Sequence, residues 1–144
     1  MEDQPSTPVL MFVAHRDVES RVMVALAEAG LDDITSAQSR LMQRLDPAGM
    51  RLTDLAEQAR VTKQTAGALV DQLERAGYVM RRPDPSDARA RLVTLSERGL
   101  TACSAAAAEV VRVEQEWRRH LGDTAYRGLR NALIALRAVT DPYR

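Results

Sequence analysis

The stretch of sequence that decides the fold is Arg51–Gly99, RLTDLAEQARVTKQTAGALVDQLERAGYVMRRPDPSDARARLVTLSERG. It holds two short helical patterns, a turn that ends in glycine, and two strand-like runs around a tip rich in proline and arginine. This order of elements predicts a winged helix-turn-helix. DNA binding is therefore the first hypothesis about function.

Each of the two helical patterns starts at a residue that can cap a helix. Thr53 can cap a supporting helix with apolar residues on one face, namely Leu55, Ala56 and Ala59. Thr62 offers a second cap, and Gly77 ends the helix that follows. The apolar stripe of this second helix is Ala66, Leu69, Val70 and Leu73. We predict that it is the recognition helix, because its first turn leaves three donors suited to base edges and phosphates outside the stripe, namely Lys63, Gln64 and Thr65.

The strand-like runs predict a hairpin with a basic tip. Residues 78–82 and 91–95 carry β-branched or aromatic side chains on both sides of a Pro/Asp/Ser turn cluster. Between Arg75 and Arg91 there are five arginines and two aspartates, so the local net charge is +3 although the whole chain is neutral. A phosphate backbone would meet that surface.

This stretch resembles the DNA-binding core of the MarR family of bacterial transcription regulators. The matching features are the D-P-S-D turn, the D-x-R of the wing (Asp87, Arg89), the L-x-x-x-G-Y-V-x-R strand start and the T-L-S-E-R-G exit. Ile34-Thr35-Ser36-Ala37-Gln38 is similar to the family's L-T-x-x-Q helix start, and the resemblance covers all but Met1–Pro8. It implies a mainly α fold with a small β wing in one domain, residues 1–144. A winged helix-turn-helix lobe at 31–98 would be flanked by dimerisation helices at 8–30 and 97–140.

The resemblance also implies a homodimer that binds double-stranded DNA at a pseudo-palindromic operator, most often as a repressor. Two recognition helices would face successive major grooves, and the wings would reach minor grooves. Arg89 would be the inserted cation with Asp87 as its ion-pair partner, while Arg81 and Arg82 would contact phosphate or support the wing. The expected DNA-binding residues are Thr62, Lys63, Gln64, Thr65, Arg81, Arg82, Asp87 and Arg89.

A small-molecule effector, often a phenolic or other lipophilic anion in this family, is a further implication. Its crevice would lie between the dimerisation helices and the winged lobe. Position and chemistry suggest four lining residues, Met11, His15, Met42 and Trp117. Trp117 suits helix packing better than stacking on an aromatic effector.

The single cysteine, Cys103, suits a small apolar role better than a redox switch, because the sequence shows no cationic setting that would lower its pKa.

One departure from the family lies in the recognition helix. Gly67-Ala68 stands where many relatives carry Thr-Arg, so an arginine contact to base or phosphate is absent. Two explanations stay open: the helix backbone sits closer to DNA, or binding is weaker and relies on Lys63, Gln64 and the wing.

The flanking segments predict four more helices. Residues 9–29 form an imperfect apolar stripe that ends at Gly30, and Thr35 with Gln38 has the form of a capping box before a helix that ends at the 46–49 turn. Arg51-Leu52 would add a short third strand to the wing, as the resemblance implies. A long helix at 97–121 carries Leu100, Cys103, Ala107, Val110, Val111, Glu114, Trp117 and Leu121 near one face. The helix from Asp123 has a stripe of Tyr126, Leu129, Leu133, Leu136 and Val139, broadened by Ile134. This is more apolar surface than one small lobe can cover, so a second copy is the simplest partner.

Composition and motifs restrict the other classes of function. One cysteine and two histidines predict neither a disulfide nor a structural metal, and we expect no cofactor. The acidic N-terminus and the lack of a long apolar run predict a soluble cytoplasmic protein with no membrane partner. Motifs of phosphate-binding loops, nucleophile elbows and metallohydrolases are missing, so we do not expect an enzyme. The rival hypothesis is a winged-helix module that binds a partner protein instead of DNA.

Overall fold

The computed structural model describes residues 4–143 and confirms the predicted fold class. Within this range six helices surround a two-stranded antiparallel sheet. The elements are α1 (Thr7–Glu28), α2 (Ser36–Met42), α3 (Leu52–Ala59), α4 (Lys63–Arg75), β1 (Val79–Asp84), β2 (Asp87–Leu95), α5 (Glu97–Leu121) and α6 (Asp123–Thr140). Strands β1 and β2 form the wing, with Val79 opposite Leu95 at its base and Asp84 opposite Asp87 at its tip.

Several helices begin or end at the capping residues predicted from sequence. The Thr35 hydroxyl accepts from the Gln38 amide at 3.2 Å, and the Gln38 side chain accepts from the Thr35 amide at 3.0 Å, which completes the predicted capping box. Thr62 caps α4 by accepting from the Thr65 amide at 3.0 Å. Gly77 follows α4 with a positive φ of 85°, a conformation that glycine adopts without strain.

Three local predictions are wrong by one to three residues. Thr53 does not cap α3, because the Leu55 amide already bonds to the Arg51 carbonyl at 3.0 Å and the helix begins at Leu52. For the same reason Arg51-Leu52 is no third strand; Met50 makes the single bridge to Val93 instead. Helix α2 ends at Met42 and excludes Leu45, whose amide bonds to Met42 in a tighter turn.

The core lies beneath the helix-turn-helix. Helices α2, α3 and α4 and both strands bury large side chains there, and α1 and α5 close it from the other side. The completely or almost completely buried members are Leu41, Leu55, Ala66, Val70, Leu73, Tyr78, Val79 and Val93, and α1 and α5 add Val22, Leu26 and Ala102.

A polar junction joins the winged lobe to α5. The Tyr78 hydroxyl donates to Asp33, and the Arg98 guanidinium lies 4.4 Å from the centre of the Tyr78 ring and 3.2 Å from the Asp33 carboxylate. Burial, followed by the contact with Asp33, raises the pKa of Tyr78 to about 12. At the same point Gly99 packs so closely that a Cβ on it would lie 2.1 Å from the Tyr78 carbonyl oxygen.

The terminal helices contrast with this core. No residue of α6 is buried, and the exposed apolar side chains of α6 include Leu129, Leu133, Ile134, Leu136 and Val139. In α1 the residues Val9, Leu10, Met11, Phe12 and Val13 are each 44 to 59% exposed. Within the described residues, no helix has an apolar segment that could cross a membrane.

Candidate nucleic-acid interface

The buried face of α4 fixes which of its side chains point outward. Ala66, Val70 and Leu73 have no exposed surface, whereas Lys63 and Gln64 are exposed. Within residues 4–143, Lys63 has no acidic group at ion-pair distance, so its charge is free. The Thr62 hydroxyl donates to the Thr65 hydroxyl at 2.9 Å and accepts the Thr65 amide, so both threonines serve the cap.

The Gly67-Ala68 pair divides between the two faces of α4. A Cβ on Gly67 would have one neighbour within 4 Å, the Leu52 side chain of α3 at 3.6 Å. Gly67 therefore faces α3, and only Ala68, which is exposed, lies on the outer surface. Of these two positions, only position 68 would place a long side chain on the outer surface of α4.

Arg81 supports the wing. Its guanidinium nitrogens lie 2.7 Å from the Asp71 carboxylate and 3.0 Å from the Glu74 carboxylate, and its side chain is 20% exposed. An ion pair this close to solvent adds little to the free energy of folding, but its geometry ties β1 to the outer face of α4. Of the two roles expected for Arg81, the structure places it in the supporting one.

Arg82 on the next position of β1 keeps its charge available. One of its nitrogens lies 3.4 Å from the Ala48 carbonyl oxygen, a neutral and weak partner. Among the described residues, Arg82, Arg89 and Arg91 on the wing have no acidic group at ion-pair distance. These three arginines are the free cations of the wing, and Lys63 is the free cation at the start of α4. Within residues 4–143, Arg44, Arg60 and Arg75 elsewhere in the lobe are likewise exposed and unpaired.

Asp84 organises the wing tip, a role beyond its charge as one of the two aspartates in the basic hairpin. Its carboxylate accepts from the Ser86 amide at 2.8 Å and the Ser86 hydroxyl at 2.7 Å, and it pairs with Arg51 at 2.8 Å. The Ser86 bonds, then the Arg51 guanidinium, hold the pKa of Asp84 below its ordinary value. The D-x-S spacing after Pro83 was the signal for this turn.

The predicted ion pair between Asp87 and Arg89 is wrong. Asp87 accepts from the backbone amide of Arg89 at 3.0 Å, and its other oxygen lies 3.8 Å from the Arg51 guanidinium. The short Asp side chain reaches the amide two residues on and closes an Asx-type turn. Asp87 therefore orients Arg89 through the backbone and leaves the Arg89 guanidinium exposed.

A separate crevice of about 830 Å³ lies between α1, α2 and α5. His15 and Met42 line it as expected, but Met11 and Trp117 are not among its lining residues. The crevice ends at His15 on α1 and at Val111 on α5, and the two missing residues lie about 6 and 9 Å further along their helices. Cys103 also lines the crevice, where burial raises the pKa of its thiol and favours the neutral, unreactive form.

The sequence of this chain matches a known family over the helix-turn-helix and most of the wing. The model of the MarR family matches residues 34–90, which include α2, α3, α4, β1 and the wing tip. That match covers 57 of the 144 residues. The chain is also 41% identical over 51 residues to the transcriptional activatory protein BadR of Rhodopseudomonas palustris. That match covers 35% of the chain and 29% of BadR, so it spans under a third of the relative's length.

Solved structures extend the likeness over nearly the whole fold. The reduced form of MarR from E. coli superposes with a TM-score of 0.76 at 21% identity, over 94% of this chain and 98% of that one. The MarR-family protein Rv2887 of Mycobacterium tuberculosis, solved in complex with salicylic acid, gives 0.67 at 25% identity, over 94% and 99%. These likenesses confirm the six-helix fold with its wing.

Proposed function

We propose that this chain is a MarR-family, sequence-specific DNA-binding regulator that acts as a homodimer on a pseudo-palindromic operator. The observation that carries the proposal is a surface of free cations on a protein with no net charge. Because Arg81 ties β1 to Asp71 and Glu74, the wing lies beside the exposed face of α4. In this proposal the free cation at the start of α4 and those on the wing are two parts of one DNA-facing surface.

In this mechanism α4 enters the major groove by its N-terminal turn. Lys63 contacts phosphate, Gln64 reaches base edges, and the cap hydroxyls of Thr62 and Thr65 lie close to the backbone. The wing carries Arg89 into the neighbouring minor groove, while Arg82 and Arg91 meet phosphates on either side. Asp87 and Arg81 act by holding the wing in place.

The dimer rests on the apolar surface that the terminal helices leave uncovered. The exposed leucines of α6 recur at helical spacing, and the exposed first half of α1 adds a second apolar surface. Contiguous apolar surface of this kind is rarely left in water, and a two-fold axis pairs it with itself. The same axis would set the spacing of the two recognition helices.

Control by a small molecule is the next part of the proposal. The crevice lies against α2, and α2 contacts the recognition helix through a 2.9 Å hydrogen bond from Gln38 to Gln72. A ligand that shifts α2 against α5 would therefore move α4.

We place the protein in the cytoplasm with its DNA. We also propose that it is a repressor, since occupying a promoter is enough to block transcription. A reporter gene behind the operator tests whether the protein represses or activates transcription.

The deciding experiment is binding to DNA from the gene's own upstream region, followed by fluorescence anisotropy from low to physiological salt. Three phosphate contacts per subunit, by Lys63, Arg82 and Arg91, give the dimer a slope of log K against log salt of about −5. Lys63→Ala should flatten the slope by about 2 and weaken random DNA nearly as much as operator. Arg127→Ala, on the outside of α6, is the matched control and should leave the slope unchanged.

Lys63 also allows a direct footprint, because it is the only lysine in the chain. Operator DNA should protect its amine from acetylation, which mass spectrometry reads at a single site. The rival interaction module predicts neither protection nor a salt slope. Either negative result, with folded dimer present, would count against DNA binding.

A further inference from the structure

The crevice between α1, α2 and α5 is expected to take an anion, but its lining is poor in positive charge. Among the described residues its lining contains no lysine or arginine. Its walls are formed mainly by aliphatic side chains and alanines of the three helices, such as Val18, Val22, Leu26, Met42, Ala106 and Val110. A carboxylate that left water for these walls would lose its hydration without gaining a cation.

The one ionised group in the lining is an acid. The Glu19 carboxylate lies 2.7 Å from the Arg40 guanidinium, and this hydrogen bond keeps the pKa of Glu19 below its ordinary value. His15, at the mouth, is 64% exposed and lies 3.8 Å from the same carboxylate. Glu19 is already paired with Arg40, and this ion pair offers an anionic ligand no unpaired cation.

The lining does offer one buried hydrogen-bond donor. Ser39 is 9% exposed, and its hydroxyl oxygen accepts from the Gln43 side chain at 3.5 Å. Within residues 4–143, the Ser39 hydroxyl makes no donated hydrogen bond. Its proton is free to reach an oxygen atom of a ligand held against the apolar walls.

We propose that this crevice takes an uncharged, mainly apolar molecule with one hydrogen-bonding oxygen, and discriminates against aromatic carboxylates. The inference deepens the proposed effector control and rests on it. A volume of about 830 Å³ suits a ligand of two or more fused rings or a comparable aliphatic skeleton. The ligand's oxygen would accept from Ser39, and its hydrocarbon would cover Val22, Met42 and Val110.

The test compares two probes of nearly equal size, 2-naphthol and 2-naphthoate, on the full chain without DNA. Isothermal titration at neutral pH should show 2-naphthol binding at least about tenfold more tightly, which corresponds to about 1.4 kcal/mol. Cys103 reports the location, because it is the only cysteine and lines the crevice. Saturating 2-naphthol should slow alkylation of Cys103 by iodoacetamide, while 2-naphthoate at the same concentration should not.

A charge introduced into the wall tests the cause of the discrimination. Ala107 is exposed, lines the crevice and lies on a helix, so Ala107→Arg should fold and should bring 2-naphthoate to within about threefold of 2-naphthol. Ala107→Gln, of similar length without charge, should keep the preference. An unchanged preference in a folded Ala107→Arg would overturn the electrostatic argument.

Two other results would overturn the proposal outright. One is binding of 2-naphthoate as tightly as 2-naphthol to the unmodified chain. The other is failure of both probes to bind or to protect Cys103, which is expected if side chains of a second copy fill the crevice. Neither result would change operator affinity, which anisotropy measures separately. Failure of the ligand proposal can therefore be distinguished from failure of the DNA-binding proposal.

Discussion

The short helices of the winged lobe and the last helix all carry leucines in apolar stripes, but the leucines of the lobe are buried and those of α6 are exposed. In the lobe, Leu41, Leu55 and Leu73 are at most 1% exposed. On α6, Leu129, Leu133 and Leu136 are 40 to 44% exposed. A stripe at helical spacing therefore predicts a surface that must be covered, and it does not say whether the cover comes from the same chain.

Deleting residues 123–144 is the most severe test of that comparison. The deletion should leave the winged lobe folded but monomeric, and specific operator binding should be lost because one lobe reads a single half-site. Sedimentation and anisotropy on the same sample measure both effects. A truncated chain that remains dimeric would remove α6 from the interface.

Point variants on α6 sharpen the same test. Leu133→Glu lies on the apolar stripe and should also produce monomers, whereas Asn131→Glu, about 160° around the helix from Leu133, should not. Equal behaviour of the two variants would mean that the stripe is not the contact surface.

The second prediction separates the two leucine stripes by what each one stabilises. Leu73→Ala should lower the free energy of unfolding by about 2 to 5 kcal/mol, because the side chain is fully buried and a cavity remains. The dimer dissociation constant of Leu73→Ala should stay the same. Leu133→Ala should instead raise that dissociation constant by about tenfold or more. Urea unfolding and sedimentation equilibrium supply the two readouts.

A third change leaves both stripes alone and acts only on the outer surface of the lobe. Arg89→Ala should weaken operator binding by about 1 to 3 kcal/mol with no change in folding or dimerisation, because it removes a groove contact. Asp87→Ala should cost less, since it only loosens the backbone that presents Arg89, and the double variant should be less than additive. Operator affinity unchanged in Arg89→Ala at moderate salt would remove Arg89 from the interface.

Arg81→Met provides the matched comparison on the same hairpin. It removes a positive charge, but that charge is already met by Asp71 and Glu74. The salt slope should therefore stay near that of the unmodified protein, while affinity falls modestly through a less fixed wing. A slope flattened as much as by Lys63→Ala would show that Arg81 contacts phosphate after all.

Two helical glycines are expected to change the stability of the protein in opposite directions. Gly67→Ala should stabilise the lobe by up to about 1 kcal/mol, because alanine favours a helix and its Cβ would lie at an ordinary 3.6 Å from Leu52. Gly99→Ala should destabilise the protein, since its Cβ would lie 2.1 Å from the Tyr78 carbonyl oxygen. Thermal unfolding of both variants gives the two signs.

Much of the winged lobe could be predicted from sequence because its signals are local. The capping box at Thr35 and Gln38, the Thr62 cap and the left-handed Gly77 depend on residues within a few positions of each other. The predicted Thr53 cap failed because the Leu55 amide donates to the Arg51 carbonyl oxygen, so α3 begins at Leu52, beside a residue that is itself paired with Asp84 of the wing tip. Helix boundaries of this kind follow tertiary contacts.

The site shows the same division. Periodicity and turn chemistry are local, so the charged residues, the position of the wing turn and the helix that presents Lys63 and Gln64 could all be predicted from sequence. Three features depend on the folded chain: Arg81 is held by Asp71 and Glu74, Asp87 accepts from the backbone of Arg89, and the crevice is lined by Cys103 but not by Trp117. A side chain's charge is a property of its own residue, but whether that charge is free depends on groups that folding brings from elsewhere in the chain.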